Sequence, residues 1–423
     1  MRVCFISRRF FPAISGMSVY ALNLLRQLVL DGHDVVMISQ YRADADGAGV
    51  YGGGPPPEVP GVKVVGLESV GEQAVGLGLP ADFEADVASM VLAVELEHAI
   101  EPFGVIHAQY AYPTGLAALE ASRKLGVPNV VSIQGGDGHW VGGCCSTHKA
   151  AMRAVLNHAG AVLIGSASFA REVSGHHGTP SGRFTIVPGA TDVDRFRPRP
   201  DRSIGALGHR PTLLYHGRVD LRKGVMELVD AFSQLVDARP DLRLVVSGIG
   251  PDVAAVGERV EMLGLGDRVE LLGYASYDQA PRVYHRGGLF ISPTYSEGFS
   301  NTILEAMASG LPIVSTRTVG VVDCLVDGRN ALLVEPRDVD GLTWAINRLL
   351  DDDALRVRLA RQALDEVRAR YSWPAVVRQI ERVYAEVAEH PVDGSWDSDC
   401  DVAHASVELA DLSCRFRAQP HLL

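Results

Sequence analysis

Residues 292–312 read SPTYSEGFSNTILEAMASGLP, and this stretch decides the fold class. An apolar run of strand length ends here, a loop containing Gly298 follows, and a helical pattern extends from Ser300 to Gly310 before a second apolar run starts at Pro312. This order of strand, loop, helix and strand is typical of a βαβ unit in a parallel sheet. The loop follows the carboxyl end of its strand, where α/β sheets bind ligands, and Gly298 lets the backbone approach one closely.

Strand-length apolar runs and helical segments alternate along most of the chain. In the first half the predicted strands are 3–7, 34–39, 62–67, 105–109, 129–134, 161–166 and 184–188. In the second half they are 212–217, 242–248, 268–273, 288–293, 312–316 and 331–336. Helices are predicted over 17–30, where Gly32 supplies the C-cap, and over 373–388. The sequence therefore predicts an α/β protein with two Rossmann-like, doubly wound parallel-sheet domains.

Composition places the domain boundaries. Residues 188–201 are rich in proline and charge and are predicted to form the interdomain linker. The N-terminal domain is assigned to residues 1–195 and the C-terminal domain to 206–370. The helix within residues 371–390 is predicted to cross back to the N-terminal domain, and residues 391–423 form a tail of unknown structure.

Charge and hydropathy exclude several classes of protein. The 423 residues contain 39 Lys and Arg against 51 Asp and Glu, a net charge of −12, which disfavours binding to nucleic acid or to an acidic membrane surface. A hydrophobic content of 47% with 21% charged residues excludes global disorder. No signal-peptide core is present, and no run reaches the roughly 18 apolar residues of a membrane span. A cytoplasmic protein without a stable membrane anchor is expected.

The quoted stretch also carries the strongest chemical signal. Backbone amides and the helix dipole at the start of the helix favour an anion, and the residues concerned are Gly298, Phe299, Ser300, Asn301 and Thr302. Glu297 precedes this helix start and Glu305 lies inside the helix. Because a carboxylate accepts hydrogen bonds from two hydroxyls, one glutamate is assigned to a sugar and the other to a ribose.

A second loop, HGRVDLRKG at residues 216–224, follows the predicted strand 212–217. Arg218 and Lys223 are placed to bind a diphosphate, one as a planar fork and the other as a point charge, although basic residues on loops are commonly only solvated. Gly248 and Gly250 form another turn between a strand and a helix, predicted to line the same site.

Other motifs give weaker signals. Gly16 ends a turn before the first helix, but no G-x-G-x-x-G is present, which disfavours a dinucleotide. Asp351, Asp352 and Asp353 are interpreted as helix N-capping residues rather than as a D-x-D metal motif.

No metal site is predicted from the cysteines. All six are interpreted as reduced thiols, too few and too scattered for a disulfide scaffold. The adjacent Cys144 and Cys145 suggest redox or metal chemistry, or packing of small residues, and packing is favoured in the absence of further ligands nearby. Cys400, His404 and Cys414 match no zinc module.

Several motifs in register resemble glycosyltransferase family four, the retaining nucleotide-sugar enzymes of GT-B fold. The interval from Glu297 to Glu305 resembles the E-x7-E motif of that family. Gly217-Arg218 with Lys223-Gly224, the turn 248–251, Val187-Pro188-Gly189 with Asp194-Arg195-Phe196, and Gly32-His33-Asp34-Val35 are similar in order and spacing. The resemblance spans residues 1–390 and implies two Rossmann-like domains that face a central cleft, the first binding the acceptor and the second the nucleotide sugar.

The resemblance also implies roles for the candidate residues. Arg218 and Lys223 would hold the donor diphosphate, Glu305 the ribose, and Glu297 with the amides after Gly298 the transferred sugar. Gly248 and Gly250 would line the donor site, and Gly16 would approach the phosphates from the N-terminal domain. Retention in this family is attributed to attack on the face from which the diphosphate departs, and the chemistry requires no metal or other cofactor.

The N-terminal half departs from the family pattern. Ser15-Gly16 stands where the family commonly has two glycines, and Gln134 stands where many relatives carry a histidine that contacts the transferred sugar. Glutamine donates a hydrogen bond but does not shuttle a proton. The catalytic set is therefore predicted as Glu297, Arg218, Lys223 and Gln134, and the acceptor contacts as His107, Gln109, Asp137 and His139.

The predicted function is transfer of a hexose or N-acetylhexosamine, with retention, from a UDP-linked donor to the hydroxyl of a small soluble acceptor. The net charge favours a neutral or cationic acceptor, such as an aminocyclitol or another natural-product alcohol. A GT-B sugar phosphorylase or epimerase, or a nucleotide-sugar-binding protein without catalysis, are the alternatives. The motifs do not predict an oligomeric state.

Overall fold

The computed structural model describes residues 1–8, 16–41, 58–69, 71, 79–208, 210–396 and 414–418. The chain divides into two compact units. The first unit contains Met1–Pro188 and Val376–Leu423, and the second contains Gly189–Ala375. Each unit has its own parallel sheet, so the predicted α/β architecture with two such sheets is confirmed.

The first unit is built on a seven-stranded sheet of order β3-β2-β1-β4-β5-β6-β7. Its strands are β1 (Arg2–Ser7), β2 (Asp34–Tyr41), β3 (Val62–Glu68), β4 (Val105–Gln109), β5 (Asn129–Ile133), β6 (Ala161–Ile164) and β7 (Phe184–Ile186). The helices between them are α1 (Gly16–Leu30), α2 (Phe83–Ile100), α3 (Leu116–Leu125), α4 (Gly136–His139), α5 (Ser146–His158) and α6 (Ala167–His177). Every strand pairing is parallel.

The second unit has a six-stranded parallel sheet of order β10-β9-β8-β11-β12-β13. Its strands are β8 (Thr212–His216), β9 (Arg243–Ser247), β10 (Val269–Gly273), β11 (Leu289–Ser292), β12 (Ile313–Thr316) and β13 (Leu332–Val334). Its helices are α7 (Val225–Leu235), α8 (Val253–Met262), α9 (Ala280–Tyr284), α10 (Asn301–Ala308), α11 (Val339–Asp351) and α12 (Asp353–Arg370). Helix α13 (Trp373–Ala388) continues into the first unit, and α14 (Arg415–Ala418) is a short C-terminal turn.

Burial of the central strands explains why they could be predicted from the sequence. Strands β4, β5, β11 and β12 are buried at every position, as expected for parallel strands covered by helices on both faces. Such strands read as largely apolar runs. All thirteen predicted strands are confirmed with ends within three residues, including the edge strands β3 and β10, which are less buried. The Asp352 side chain accepts a hydrogen bond from the Leu355 amide and caps α12, which confirms the capping interpretation of this acidic run.

Strand order fixes where each sheet can bind a ligand. The order in which successive strands are added to the sheet reverses between β1 and β4 in the first unit and between β8 and β11 in the second. At such a switch point the loops leave the carboxyl ends of neighbouring strands in opposite directions and open a crevice. The loops after β8 and β11 carry the predicted donor residues Arg218, Lys223 and Glu297. Among the described residues no helix is long and apolar enough to cross a membrane.

Candidate active site

The loops after β8 and β9 pack backbone against backbone. Gly248, with a φ of +142°, lies so close to Gly217 that an added Cβ would stand 1.8 Å from the Gly217 carbonyl oxygen. At Gly250 an added Cβ would stand 2.0 Å from the carbonyl oxygen of Val219. Both distances are far below van der Waals contact, so any side chain at these two glycines would force the loops apart. The packing fixes the course of the basic loop after β8.

Lys223 and Glu297 form an ion pair in the second unit. Nζ of Lys223 donates to Oε1 of Glu297 at 2.7 Å and lies 3.4 Å from the Ser296 carbonyl oxygen. The two side chains are 27% and 19% exposed, respectively, so the pair is accessible but only partly solvated. The lysine is the predicted ligand of a diphosphate and the glutamate the predicted ligand of a sugar, and the structure brings these two groups into direct contact.

Arg218, on the same loop as Lys223, makes only a long contact with Asp220. Its Nε lies 3.6 Å from Oδ2 of Asp220, whereas Arg222 donates to both oxygens of Asp220 at 3.0 and 2.7 Å. The hydrogen bond from Arg222 lowers the pKa of Asp220 to about 2, so this carboxylate is charged at neutral pH. The Arg218 side chain is 45% exposed. Because Arg222 neutralises most of the Asp220 charge, the Arg218 guanidinium keeps its capacity for an anionic ligand.

The start of α10 has the form expected of an anion site. Ser300 is the N-cap residue, but its Oγ lies 3.2 Å from Oγ1 of Thr302 and does not cap a backbone amide. The ring of Phe299 packs against Tyr371 with centroids 5.8 Å apart, and Asn301 begins the helix. The positive end of the helix dipole therefore faces the loop that contains Gly298.

Glu305 lies one turn into α10 and is buried. Its Oε2 accepts a hydrogen bond from the Tyr284 hydroxyl at 2.7 Å, and that hydroxyl also lies 3.2 Å from the Thr302 carbonyl oxygen. Burial raises the pKa of Glu305 from 4.5 to about 7, although the hydrogen bond from Tyr284 opposes the shift. A carboxylate with so little solvent is suited to accept hydrogen bonds from ligand hydroxyls. Sequence reasoning missed Tyr284, since nothing in its surroundings in the chain marks it as a partner.

Polar residues meet at the carboxyl ends of the central strands in the first unit. Ser7 on β1 pairs in register with Gln109 on β4, and its hydroxyl donates to Oε1 of Gln109 at 2.7 Å. Nε2 of Gln109 donates to the Met17 carbonyl oxygen at 3.0 Å and to Oε1 of Gln134 at 2.8 Å. Gln109 is fully buried and Gln134 is half-buried. Gln109, a predicted acceptor contact, thus orients Gln134, and Gln134 is the more accessible of the two side chains.

Asp137 holds a loop in the first unit. Its carboxylate accepts hydrogen bonds from the backbone amides of Ala111, Gln134 and Gly135 at 3.0 to 3.1 Å, and the side chain is fully buried. Burial raises the pKa of Asp137, and the backbone hydrogen bonds oppose that rise. Since its oxygens are engaged by the backbone, this arrangement fits a positioning role for Asp137 rather than the predicted contact with an acceptor.

The two predicted histidines differ in accessibility. His107 is fully buried, with Nδ1 2.6 Å from the Tyr384 hydroxyl and Nε2 2.7 Å from Oγ of Ser132, and burial lowers its pKa to about 3. Both ring nitrogens are thus used within the core, which leaves none for the acceptor. His139 is partly exposed, and its Nδ1 lies 2.6 Å from Oε1 of Glu172. His139 is therefore the better candidate for contact with a ligand.

Two of the motifs singled out in the sequence lie partly outside the described residues. Gly16 is the exposed first residue of α1, whereas residues 9–15 of the turn before it lie outside the described residues. Cys400 and His404 lie outside them as well. The adjacent Cys144 and Cys145 are described, and they have neighbours that sequence analysis did not assign to them: His148 and Cys414.

These features define a class of protein. Each unit is a doubly wound parallel α/β unit, and the second carries basic side chains, two glutamates and a helix start at its switch point. That combination suits a ligand with a diphosphate, a ribose and a sugar. Two family models divide the chain in the same way: glycosyl transferases group 1 matches residues 197–365, and a glycosyl transferase 4-like domain matches residues 15–190. The chain belongs to the group 1 family of glycosyltransferases, also called family four, and is a hexosyltransferase that takes its sugar from a nucleotide sugar.

Curated relatives have related activities. Glycogen synthase of Mycobacterium tuberculosis is 25% identical over 410 residues, which cover 91% of this chain and 94% of that protein. D-inositol 3-phosphate glycosyltransferase of Corynebacterium jeikeium is 30% identical over 229 residues, covering 51% of this chain and 54% of that protein. The enzyme of the same name from Corynebacterium diphtheriae is 25% identical over 404 residues, covering 88% and 90%.

Solved structures show the fold. Sucrose-phosphate synthase of Thermosynechococcus elongatus superimposes with a TM-score of 0.74 at 23% identity, covering 92% of this chain and 99% of that one. HepE of Anabaena in complex with UDP-glucose superimposes with a TM-score of 0.70 at 17% identity, covering 91% and 100%. The predicted GT-B fold is therefore confirmed.

Proposed function

We propose that this glycosyltransferase moves a hexose or N-acetylhexosamine, with retention of configuration, from a UDP-linked donor to a hydroxyl of a small cyclitol-like acceptor. The observation that carries the donor half is the contact between Lys223 and Glu297 beside the start of α10. It joins a cation suited to a diphosphate and a carboxylate suited to sugar hydroxyls at one switch point. HepE, which has the same fold, binds UDP-glucose.

The residues have distinct roles in the proposed reaction. Lys223 and Arg218 bind the diphosphate, Glu305 accepts hydrogen bonds from the ribose hydroxyls, and Glu297 with the loop at Gly298 binds the transferred sugar. As the bond between the anomeric carbon and the phosphate oxygen breaks, negative charge grows on the leaving diphosphate. Fixed cations and a helix start stabilise this charge more in the transition state than in the ground state.

In the proposed reaction the departing phosphate oxygen, rather than a basic side chain, accepts the proton of the acceptor hydroxyl. The acceptor hydroxyl attacks the anomeric carbon on the face from which the diphosphate departs, a C–O bond forms as the C–O bond to phosphate breaks, and the proton passes to the departing phosphate oxygen. Gln134 provides a hydrogen bond to the sugar, which a glutamine can do without changing its protonation state. This agrees with the burial of His107 and Asp137, since neither is needed as a base.

The net charge of the chain and the names of two relatives support a small cyclitol-like acceptor. A net charge of −12 favours a neutral or cationic acceptor over an anionic lipid. Two of the relatives glycosylate a cyclitol, D-inositol 3-phosphate, by their names, which supports the cyclitol ring and not its charge, since that acceptor carries a phosphate. In the first unit, the accessible His139 lies against the carboxylate of Glu172, a pair that is suited to bind a polyhydroxylated or amino-substituted ring.

The test is a two-stage screen. Calorimetric titration with UDP-, GDP- and ADP-sugars identifies the donor, and mass spectrometry of acceptor mixtures then identifies the product, with inositols, inositol phosphates, aminocyclitols and glucans in parallel. We expect a UDP-sugar to bind and an α-linked cyclitol or aminocyclitol product to form from an α-linked donor. A β-linked product, turnover that depends on phosphate or needs no acceptor, a glucan product, or binding without turnover would each contradict the proposal.

Replacing Gln134 tests the first unit. Gln134→Ala removes one neutral hydrogen bond to the sugar, so kcat/KM is expected to fall about 10-fold. Gln27→Ala, on the exposed part of α1 where Gln27 bonds to Asp31, is the matched control and is expected to leave kcat/KM unchanged. Gln134→His is expected to alter either the transfer rate or the rate of donor hydrolysis. Wild-type kinetics in both Gln134 variants would remove this residue from the site.

A further inference from the structure

Four potential metal ligands meet in the first unit, away from the residues assigned to the donor. Cys144 and Cys145 precede α5, His148 lies in its first turn, and Cys414 lies at the start of the C-terminal segment, which we define as residues 414–418. The three sulfur atoms and one ring nitrogen all lie within 4.8 Å of one another. Three of these residues are close in the sequence, whereas Cys414 is brought to them by the fold.

The distances suit a tetrahedral ion. Sγ of Cys144 lies 3.1 Å and Sγ of Cys414 lies 3.7 Å from Nδ1 of His148. In a tetrahedron with metal–sulfur bonds of about 2.3 Å and metal–nitrogen bonds of about 2.0 Å, ligand atoms are separated by roughly 3.5–3.8 Å. The two measured separations are within about 0.4 Å of these values. Since ligand atoms of the cluster lie up to 4.8 Å apart, binding of an ion requires the longest separation to shorten by about 1 Å.

Backbone amides point at two of the sulfur atoms. The His148 amide donates to Sγ of Cys145 at 3.5 Å, so Cys145 serves as the N-cap of α5. The Arg417 amide donates to Sγ of Cys414 at 3.4 Å. Amide donors and a helix start stabilise a thiolate, which is the form of cysteine that binds metals. These amide donors thereby orient and stabilise the two sulfur atoms that would bind the metal directly.

Aromatic rings shield the cluster. The His148 ring is fully buried, 4.7 Å from the Tyr112 ring and 5.9 Å from the Phe83 ring between centroids. Cys414 is 5% exposed, and Cys144 and Cys145 are half-buried. A site with four protein ligands, little solvent and no open coordination position is of the structural kind rather than the catalytic kind.

A separate set of bonds holds the C-terminal segment in place. The Arg417 guanidinium pairs with the Glu84 carboxylate on α2 at 2.5 and 2.8 Å and donates to the Ala81 carbonyl oxygen at 3.0 Å. The Ala81 amide in turn donates to the Arg417 carbonyl oxygen at 3.1 Å. These contacts bring Cys414 to the other three ligands without any contribution from an ion. The site is thus preorganised by independent interactions.

We infer that Cys144, Cys145, His148 and Cys414 form a structural zinc site that fastens the C-terminal segment to the start of α5. Three thiolates and one imidazole in a tetrahedral set are the donors that zinc selects. The ion acts as a crosslink between positions 144 and 414 and takes no part in sugar transfer. This inference is independent of the proposed donor and acceptor.

The experiment measures metal in the full-length protein. The chain is purified without chelator under reducing conditions, and its zinc content is determined by elemental mass spectrometry; one zinc per chain is expected. After replacement with Co²⁺, a thiolate-to-cobalt charge-transfer band and the intense visible bands of tetrahedral Co²⁺ are expected. Removal of the metal by a chelator is expected to make the C-terminal segment sensitive to proteolysis, which is followed by mass spectrometry of the released peptides.

Two cysteine variants distinguish loss of a zinc ligand from a general effect on folding. Cys414→Ser removes one ligand at the chain end and is expected to weaken zinc affinity at least about 100-fold. Cys324→Ala alters a buried cysteine of the second unit and is expected to keep one zinc per chain. Failure of wild-type protein to bind zinc or Co²⁺ would overturn the inference, as would unchanged affinity in the Cys414 variant. A disulfide between two of these cysteines, found after thiols are blocked at lysis, would overturn it as well.

Discussion

Lys223→Ala is expected to lower kcat/KM for the donor at least about 100-fold, with most of the loss in kcat. In the proposed reaction the Lys223 ammonium neutralises charge that develops on the leaving diphosphate, so its removal raises the barrier more than it weakens donor binding. The loss also leaves Glu297 without its ion-pair partner, in a position where it is only 19% exposed. The measurement is initial-rate kinetics with the donor identified in the screen.

A matched ion pair provides the control. Arg259 on α8 pairs with Asp230 on α7 at 2.8 Å, and its exposure resembles that of the Lys223–Glu297 pair. Arg259→Ala is expected to keep kcat/KM within about twofold, since this pair lies outside the candidate site and surface pairs contribute little.

A double variant distinguishes catalysis from structure. If the pair served only to hold two loops together, Lys223→Met combined with Glu297→Gln would restore activity, because neither charge would be left unpaired. We expect no restoration, since each residue contacts a different part of the donor. An active double variant would contradict the assignment of both residues to the donor.

Glu305→Gln is expected to stabilise the protein at pH 8 and to weaken donor binding. Burial raises the pKa of Glu305 from 4.5 to about 7, so the stability that the protonated carboxyl provides below pH 4.5 is lost as the pH rises towards 7. The loss amounts to about 3 kcal/mol in the free energy of unfolding. Glutamine retains an acceptor for the Tyr284 hydroxyl but carries no charge, so the variant avoids this loss.

Donor binding by the wild-type enzyme is expected to strengthen as the pH rises, whereas the free energy of unfolding falls. In the proposed donor site the ribose hydroxyls donate to the ionised Glu305 carboxylate, so the donor KM of the wild-type enzyme is expected to fall as the pH rises through 7. In Glu305→Gln the donor KM is raised and varies little over the same interval. Chemical unfolding at pH 5 and pH 8, together with donor KM from pH 6 to pH 8, measures both effects. A variant with the wild-type KM profile would exclude Glu305 from the donor site.

The fold could be predicted because its elements are encoded locally. Strand β11 lies within the predicted run 288–293 and ends at Ser292. The helical pattern from Ser300 to Gly310 contains α10, which ends at Ala308. The central parallel strands are buried on both faces and are joined by helices, so each can be recognised within a window of a few residues. The candidate donor residues could be predicted for the same reason, since they follow strands at positions that the topology brings to one edge of a sheet.

Side-chain partners could not be predicted, because they come from distant parts of the chain. The hydrogen bond from Tyr284 to Glu305 joins residues 21 positions apart on different helices. His107 looked like a site residue at the end of a strand, but its partner Tyr384 is 277 residues away and makes it part of the core. Cys414 showed no zinc spacing because its co-ligands lie about 270 residues earlier. Burial and pairing of this kind depend on tertiary packing rather than on local pattern.

The contact between the loops after β8 and β9 has a consequence for protein engineering. A library that seeks a new donor preference should leave positions 248 and 250 as glycine, because a side chain at either would collide with a backbone carbonyl oxygen and abolish the turn. Ile249 stands between them with 43% of its surface exposed. Randomising this residue would sample new chemistry beside the proposed nucleotide-sugar site, and the backbone packing of positions 248 and 250 against the loop after β8 would stay intact.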